Sequence, residues 1–187
     1  MMKKCLVVAA MLVVLAAFVY NGVAGETVKS GPQVGENARP QPFFPLNING
    51  PTPNEKQCLV CRNGNNPVAM VFAREPSENL VKLMKALDAE TVKNSEKKMG
   101  SFAVFCNDSE GLSTKLADLA KKQDLKKFTL AIDNPTGPAP YNISKDADVT
   151  VVLYNKSKVI ANYTFKKGEL TPAKIETIVS DVSKIVN

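Results

Sequence analysis

Order along the chain tightens at Val68. Val68 to Phe72 is a short, wholly apolar run of the kind a buried parallel strand requires. Ser77 then precedes Leu80, Leu83, Met84 and Leu87, the spacing of one apolar helix face with its N-cap. Phe102 to Cys106 reads as a second buried strand, Leu112, Leu116 and Leu119 as a second helix, and Phe128 to Ile132 as a third strand, which completes a βαβαβ order. Val149 to Tyr154 and Val159 to Phe165 are β-rich runs joined by Asn155-Lys156-Ser157-Lys158, short enough for an antiparallel hairpin. Thr171-Pro172 supplies an N-cap and a first-turn proline for a closing helix with Ile175, Ile178, Val179 and Val182 on one face.

The first part of the chain follows a different pattern. Lys3 and Lys4 precede the apolar run Leu6 to Val19, and Gly22-Val23-Ala24 gives small residues for cleavage before or just after Gly25, so residues 1–24 are expected to be an export signal. The run is short for a membrane span, so no stable membrane insertion is expected after cleavage, and the mature chain is expected to be periplasmic or extracellular. Cys5 would leave with the signal. Residues 25–40 carry proline, glycine and asparagine without a helical period and are read as a flexible leader; residues 41–187 are read as one domain whose irregular start is anchored by Phe43, Phe44, Leu46 and Ile48.

Composition excludes a good deal. The chain of 187 residues has no histidine, which removes Ser-His-Asp and Cys-His catalysis, histidine-ligated metals and c-type haem attachment together. Loss of two lysines and no acid with the signal lowers the formal charge from +6 to +4. The lysines, such as Lys82, Lys85, Lys121, Lys122, Lys126 and Lys127, are scattered without interleaved aromatic residues, so no nucleic-acid partner is expected and no cofactor is indicated.

Chemistry is concentrated in Cys58-Leu59-Val60-Cys61, between Lys56 and Arg62 and ahead of the turn-forming Asn63-Gly64-Asn65-Asn66. In a compartment where disulfides persist, this pair is either a structural disulfide that restricts the unfolded chain or an exchanging redox pair. Metal ligation is the weakest alternative, since two thiolates make half a zinc site and nothing nearby completes it. Cys106 ends the second strand; with Cys61 ahead of the first, about 15–20 Å should separate them, too far for a disulfide, and Cys106 is read as a buried thiol.

The order of elements resembles the thioredoxin-like superfamily, and particularly its redoxin branch of peroxiredoxin-like and TlpA-like proteins. Val68 to Ala73 followed by a helix, Asp133-Asn134-Pro135-Thr136-Gly137 leading to Tyr141-Asn142-Ile143, and Val149 to Tyr154 before the turn carry the likeness. The run Cys58 to Arg62, the Asn/Gly turn and Pro67 to Arg74 are also similar to a group of exported thioredoxin-like proteins. The resemblance implies a three-layer α/β/α sandwich with a mixed central sheet, and partners that contain thiols or disulfides.

It also exposes departures. In the redox families the reactive cysteine opens the helix after the first strand, where this chain has Ala73-Arg74-Glu75-Pro76-Ser77. The Trp-Cys-x-x-Cys and the peroxidatic Thr-x-x-Cys are both missing, which argues against peroxidase activity. Val149-Thr150 stands where thioredoxins carry cis-proline and threonine. Cys58, the first of the pair, would be the attacker by analogy, with a thiol acidity nearer that of a free cysteine and only Lys56 and Arg62 to assist. The alternative from a different class is a non-catalytic interaction module held by a disulfide. Arg74 and Glu75 are expected to face solvent at a helix start, with anion binding as the other option. Asp133, Asp146 and Asp148 read as turn carboxylates, Tyr141 as core or a packing lid. Asn107, Asn142, Asn155 and Asn162 each open a glycosylation acceptor pattern.

Overall fold

The computed structural model describes residues 28–187. The expected export segment, Cys5 included, lies outside them. No helix among the described residues is long and apolar enough to cross a membrane.

Six strands form one mixed sheet: β1 (Leu46–Asn47), β2 (Val68–Ala73), β3 (Gly100–Cys106), β4 (Phe128–Asp133), β5 (Val149–Asn155) and β6 (Lys158–Phe165), in the spatial order β1-β4-β3-β2-β5-β6. β2 lies in the middle, parallel to β3 and antiparallel to β5, which is why all six of its residues are apolar and buried. Val68 pairs with Gly100, and Ser101 with Phe128, so the amino ends of the three parallel strands are level.

The chain steps from β2 to β3 to β4 in one direction across the sheet, and two right-handed crossovers of that sense place both connecting helices on the same face. These are α2 (Glu78–Lys93) and α3 (Leu112–Lys122). α4 (Pro172–Asp181) joins them, and Leu80, Leu83, Met84, Leu87, Leu116, Ile175 and Ile178 form one core there with Val71, Ala103 and Leu130 of the sheet. A short α5 (Ser183–Val186) closes that layer with Ile185. The opposite face is covered more thinly, by α1 (Leu59–Asn63), the 3₁₀ turn Ala139–Tyr141 and the segment around Ala38 and Phe43, packed on Met70, Phe72, Phe102 and Val104. The architecture is the expected α/β/α sandwich with a mixed sheet, its second outer layer reduced to these pieces.

The sequence signals for the ends of elements hold. The Ser77 hydroxyl accepts the Leu80 N–H at 3.3 Å, and the Thr171 hydroxyl caps α4 ahead of Pro172. The hairpin turn narrows to Lys156-Ser157, both left-handed (φ 49° and 64°), the twist that a two-residue hairpin loop needs.

Two expectations are corrected. Residues 28–40 are not a flexible leader: Ser30 and Ala38 are buried, the Asn162 side chain donates to the Ser30 and Pro32 carbonyls at 2.9 Å, and Gly35 N–H bonds Val159 O at 2.9 Å. The segment pairs with the start of the open edge of β6, at Lys158 and Val159, whose backbone groups would otherwise face solvent. The second correction is α1, a helical turn where the sequence reading assigned no helix.

Candidate functional site

Cys58 and Cys61 form a disulfide, with their α-carbons 5.2 Å apart. Cys58 is the N-cap of α1, in extended conformation, and its sulfur accepts the Cys61 N–H at 3.2 Å. Leu59 and Val60 anchor the turn in the thin core, Arg62 N–H bonds Cys58 O at 3.0 Å, and Gly64, at φ 54°, ends it by donating to Val60 O and Cys61 O. The Asn63 amide adds a bond to Leu59 O at 2.9 Å. Five residues are too few for a helix to stand alone, and tertiary ties hold this one. Arg39 donates to Val60 O (3.4 Å), Asn65 Oδ1 (2.9 Å) and Ser157 Oγ (3.0 Å), fastening α1 to the hairpin turn.

The two cysteines are unequally placed. Cys58 is 9% exposed and belongs to the thin core together with Leu59, Val60, Val68 and Tyr154, whereas Cys61 is on the surface. The more accessible cysteine is therefore the second, opposite to the order that the analogy gave. Lys56 and Arg62 are exposed on either side, as expected. Among the described residues, two fully buried side-chain polar atoms lack a partner, Tyr154 Oη and Asn47 Oδ1.

At the carboxyl end of β2, where redoxins place the reactive cysteine, the chain has Arg74, and its side chain turns inward. Its guanidinium donates to the carbonyls of Ser144 (2.9 Å), Ala147 (3.3 Å), Cys106 (3.4 Å) and Pro135. The expectation of a solvent-facing Arg74 fails because the carbonyl at the end of β3 and three carbonyls of the β4–β5 connection converge there and need donors. Glu75 does face solvent. Cys106 lies at this end as a free thiol, 2% exposed; burial pushes it up to about 12, with Asp133 adding to the rise and Arg74 opposing it. Burial likewise raises the Asp148 carboxyl.

Tyr141 is core: its ring lies 4.8 Å from Phe43 and 5.6 Å from Phe72, and its hydroxyl donates to Gln41 O at 3.0 Å. Thr150 gives its hydroxyl to Ser30 Oγ at 2.7 Å in the interior. Three of the four acceptor asparagines have their amides engaged, Asn107 with Arg74 O, Asn155 with Ile185 O and Asn162 with the leader. Asp133 accepts the Asn134 N–H and Asp146 is exposed. Among the described residues no group of three or more metal-ligating side chains converges.

Sequence reading missed Arg39, Asp88 and Gly100. Asp88, facing inward from α2, accepts the N–H groups of Lys126, Lys127 and Phe128 and so fixes the start of β4. Its signal was a carboxylate one position after Leu87 on an otherwise apolar helix face. Gly100 lies against Asn63, with an added Cβ 1.9 Å from Asn63 Oδ1.

No family model matches the chain, and no curated protein matches it. Solved structures do. A Bacteroides thetaiotaomicron protein assigned as a protein disulfide isomerase aligns at 14% identity over 85% of this chain and 94% of its own, with a TM-score of 0.62. A Chlorobium tepidum protein assigned as the thiol:disulfide interchange protein DsbE aligns at 17% identity over 86% and 100%, at 0.57. Peroxiredoxin Q of Xanthomonas campestris aligns at 9% identity over 84% and 99%, at 0.59. At these identities the likeness is one of fold, and together with the strand order it establishes that the chain has the thioredoxin-like fold of the redoxins, with its Cys-x-x-Cys ahead of the first parallel strand.

Proposed function

We propose that the protein is exported and exchanges disulfides with thiol- or disulfide-containing protein partners through Cys58 and Cys61. One observation carries the reading: an exposed cysteine, Cys61, is bonded to a buried one whose sulfur already accepts a backbone N–H. A partner thiolate attacks Cys61 Sγ and forms a mixed disulfide, and the electron pair of the broken S–S bond leaves on Cys58 Sγ, beside the Cys61 N–H. A second partner thiolate attacks the partner's own sulfur and releases Cys61 as a thiolate. The partner gains a disulfide and loses two electrons, the pair gains them, and the protons pass through solvent to the two cysteines. Run backwards, the same steps reduce a partner.

The second reading is a non-catalytic module in which the disulfide only staples α1; the burial of Cys58 and the firm hold of Arg39 on the turn favour it. The reduction potential separates the two. A value above about −230 mV suits an exchanging pair, and one below about −300 mV the staple. Alkylation of single-cysteine variants tests the polarity: Cys61 in Cys58→Ser should react about tenfold or more faster than Cys58 in Cys61→Ser, and the reverse order would return the attack to Cys58. Export rests on the short apolar run and its small-residue boundary, and intact mass of the secreted product should place the new N-terminus next to Ala24 or Gly25.

A further inference from the structure

A cleft of about 910 Å³ lies at the amino ends of β3 and β4, between α1 with the 49–53 loop on one side and the end of α3 with the loop into β4 on the other. Its rim carries Arg62, Lys121, Lys126 and Lys127 against one acid, Asp124, which Lys126 pairs at 2.6 Å. Among the described residues no carboxylate pairs with the other three cations. In its wall Thr129 is 6% exposed and its hydroxyl makes no hydrogen bond among the described residues, while Gly50 packs so close that an added Cβ would stand 2.9 Å from that oxygen. The lining therefore combines unpaired positive charge with an unused hydroxyl. Its aromatic rings, Phe102 and Phe128, are each 1% exposed and offer no face on which a base could stack. Arg62 joins the cleft to the redox turn, since it follows the exposed Cys61 directly.

We propose that this cleft docks an extended, acidic segment of the partner's polypeptide chain, next to the cysteine that meets Cys61. Carboxylates of the segment lie against Arg62, Lys121 and Lys127, and a backbone carbonyl takes the Thr129 hydroxyl. The proposal rests on the exchange reading for its purpose and not for the binding itself, so the two are tested separately.

Binding is measured by fluorescence anisotropy of a labelled, cysteine-free peptide rich in aspartate and glutamate on the full oxidised protein, beside a lysine-rich peptide of equal length. The acidic peptide should bind in preference, and its affinity should fall about tenfold or more in Lys121→Glu/Lys127→Glu and on raising salt from about 20 to about 300 mM. Thr129→Val should weaken it by roughly fivefold. Equal binding of both peptides, an unchanged affinity in the double variant, or a short oligonucleotide that binds more tightly than the peptide would overturn the docking site. Exchange is then followed with cysteine peptides that have acidic or neutral flanks. The ratio of their kcat/KM values should favour acidic flanks by about tenfold and approach one in the double variant. Acidic-peptide binding with no exchange on either substrate would sink the exchange reading and leave the docking site standing; equal exchange on both would do the opposite.

Discussion

The two ends of the parallel strands hold the same materials, cysteine and arginine, and use them in opposite ways. At the carboxyl end Arg74 gives its donors to four carbonyls, and Cys106 is 2% exposed with its thiol raised by burial. At the amino end Arg62 is exposed and pairs with no carboxylate among the described residues, and Cys61 is at the surface, bonded to a partner sulfur that accepts a backbone N–H. The resemblance read from the sequence implied reactive chemistry at the carboxyl end, yet here access and an unspent cation lie at the other. What makes a cysteine available is its solvent exposure and the donors around it, and the fold alone fixes neither.

The strongest way to break this comparison is to remove Arg74. Arg74→Leu leaves four carbonyls short of a donor, one at the end of β3 and three in the connection between β4 and β5, and should cost about 3 kcal/mol in denaturant unfolding. Arg74→Lys should recover only part of it, because an ammonium cannot fork across the same set of acceptors. β2 separates the ends by about 20 Å, so the potential of the Cys58–Cys61 pair should not move. A shift of the potential in Arg74→Leu would mean that the two ends are coupled and that the contrast between them is misplaced.

How far the sequence reached depends on what each element needs. β2, β3, β4, the hairpin and α2 to α4 are set by strong periodic burial, and the pattern of apolar residues made them legible. The turn α1 and the packed stretch from residue 28 to 40 were not, since both are held by single side chains, Arg39 on Val60 O and Asn162 on Ser30 O, that reach across more than a hundred positions or between irregular segments. The cysteine pair was visible from its spacing. Which sulfur is exposed was not, because the answer lies in how a five-residue turn seats on the sheet. Arg74 was misjudged for the same reason: its acceptors lie 32 to 73 positions away, at the end of β3 and in the connection between β4 and β5.

The contact between Gly100 and Asn63 sharpens the amino-end half of the comparison. Alanine at Gly100 would put its Cβ 1.9 Å from Asn63 Oδ1, and the Asn63 amide is already committed to Leu59 O, so relief requires the end of α1 to shift. Gly100→Ala should cost about 2 kcal/mol and change the alkylation rate of Cys61 in the reduced protein. Adding Asn63→Ala should return both toward wild type, with a coupling energy on the order of 1 kcal/mol in the double-mutant cycle. Strict additivity would show that the turn does not bear on the start of β3.

The smallest expected effect concerns Cys106 and has a definite sign with pH. Its thiol is raised from an ordinary value near 9 to about 12 in the folded chain, chiefly by burial. Below 9 both states keep the proton and the thiol adds no pH dependence. Above 9 the unfolded chain loses the proton while the folded one holds it, so stability falls as pH rises toward the folded value. Compared with Cys106→Val, wild type should lose on the order of 1 kcal/mol between pH 8 and pH 10. Tyr141, Tyr154 and Tyr163 are also raised by burial, but they are common to both proteins and cancel in the difference. Paired denaturant melts at the two pH values measure it, and alkylation at pH 8 should label Cys106 only after unfolding. Equal pH dependence in the two proteins, or ready labelling of Cys106 in the folded chain, would show that the carboxyl end is open to solvent and that the two ends differ less than their geometry implies.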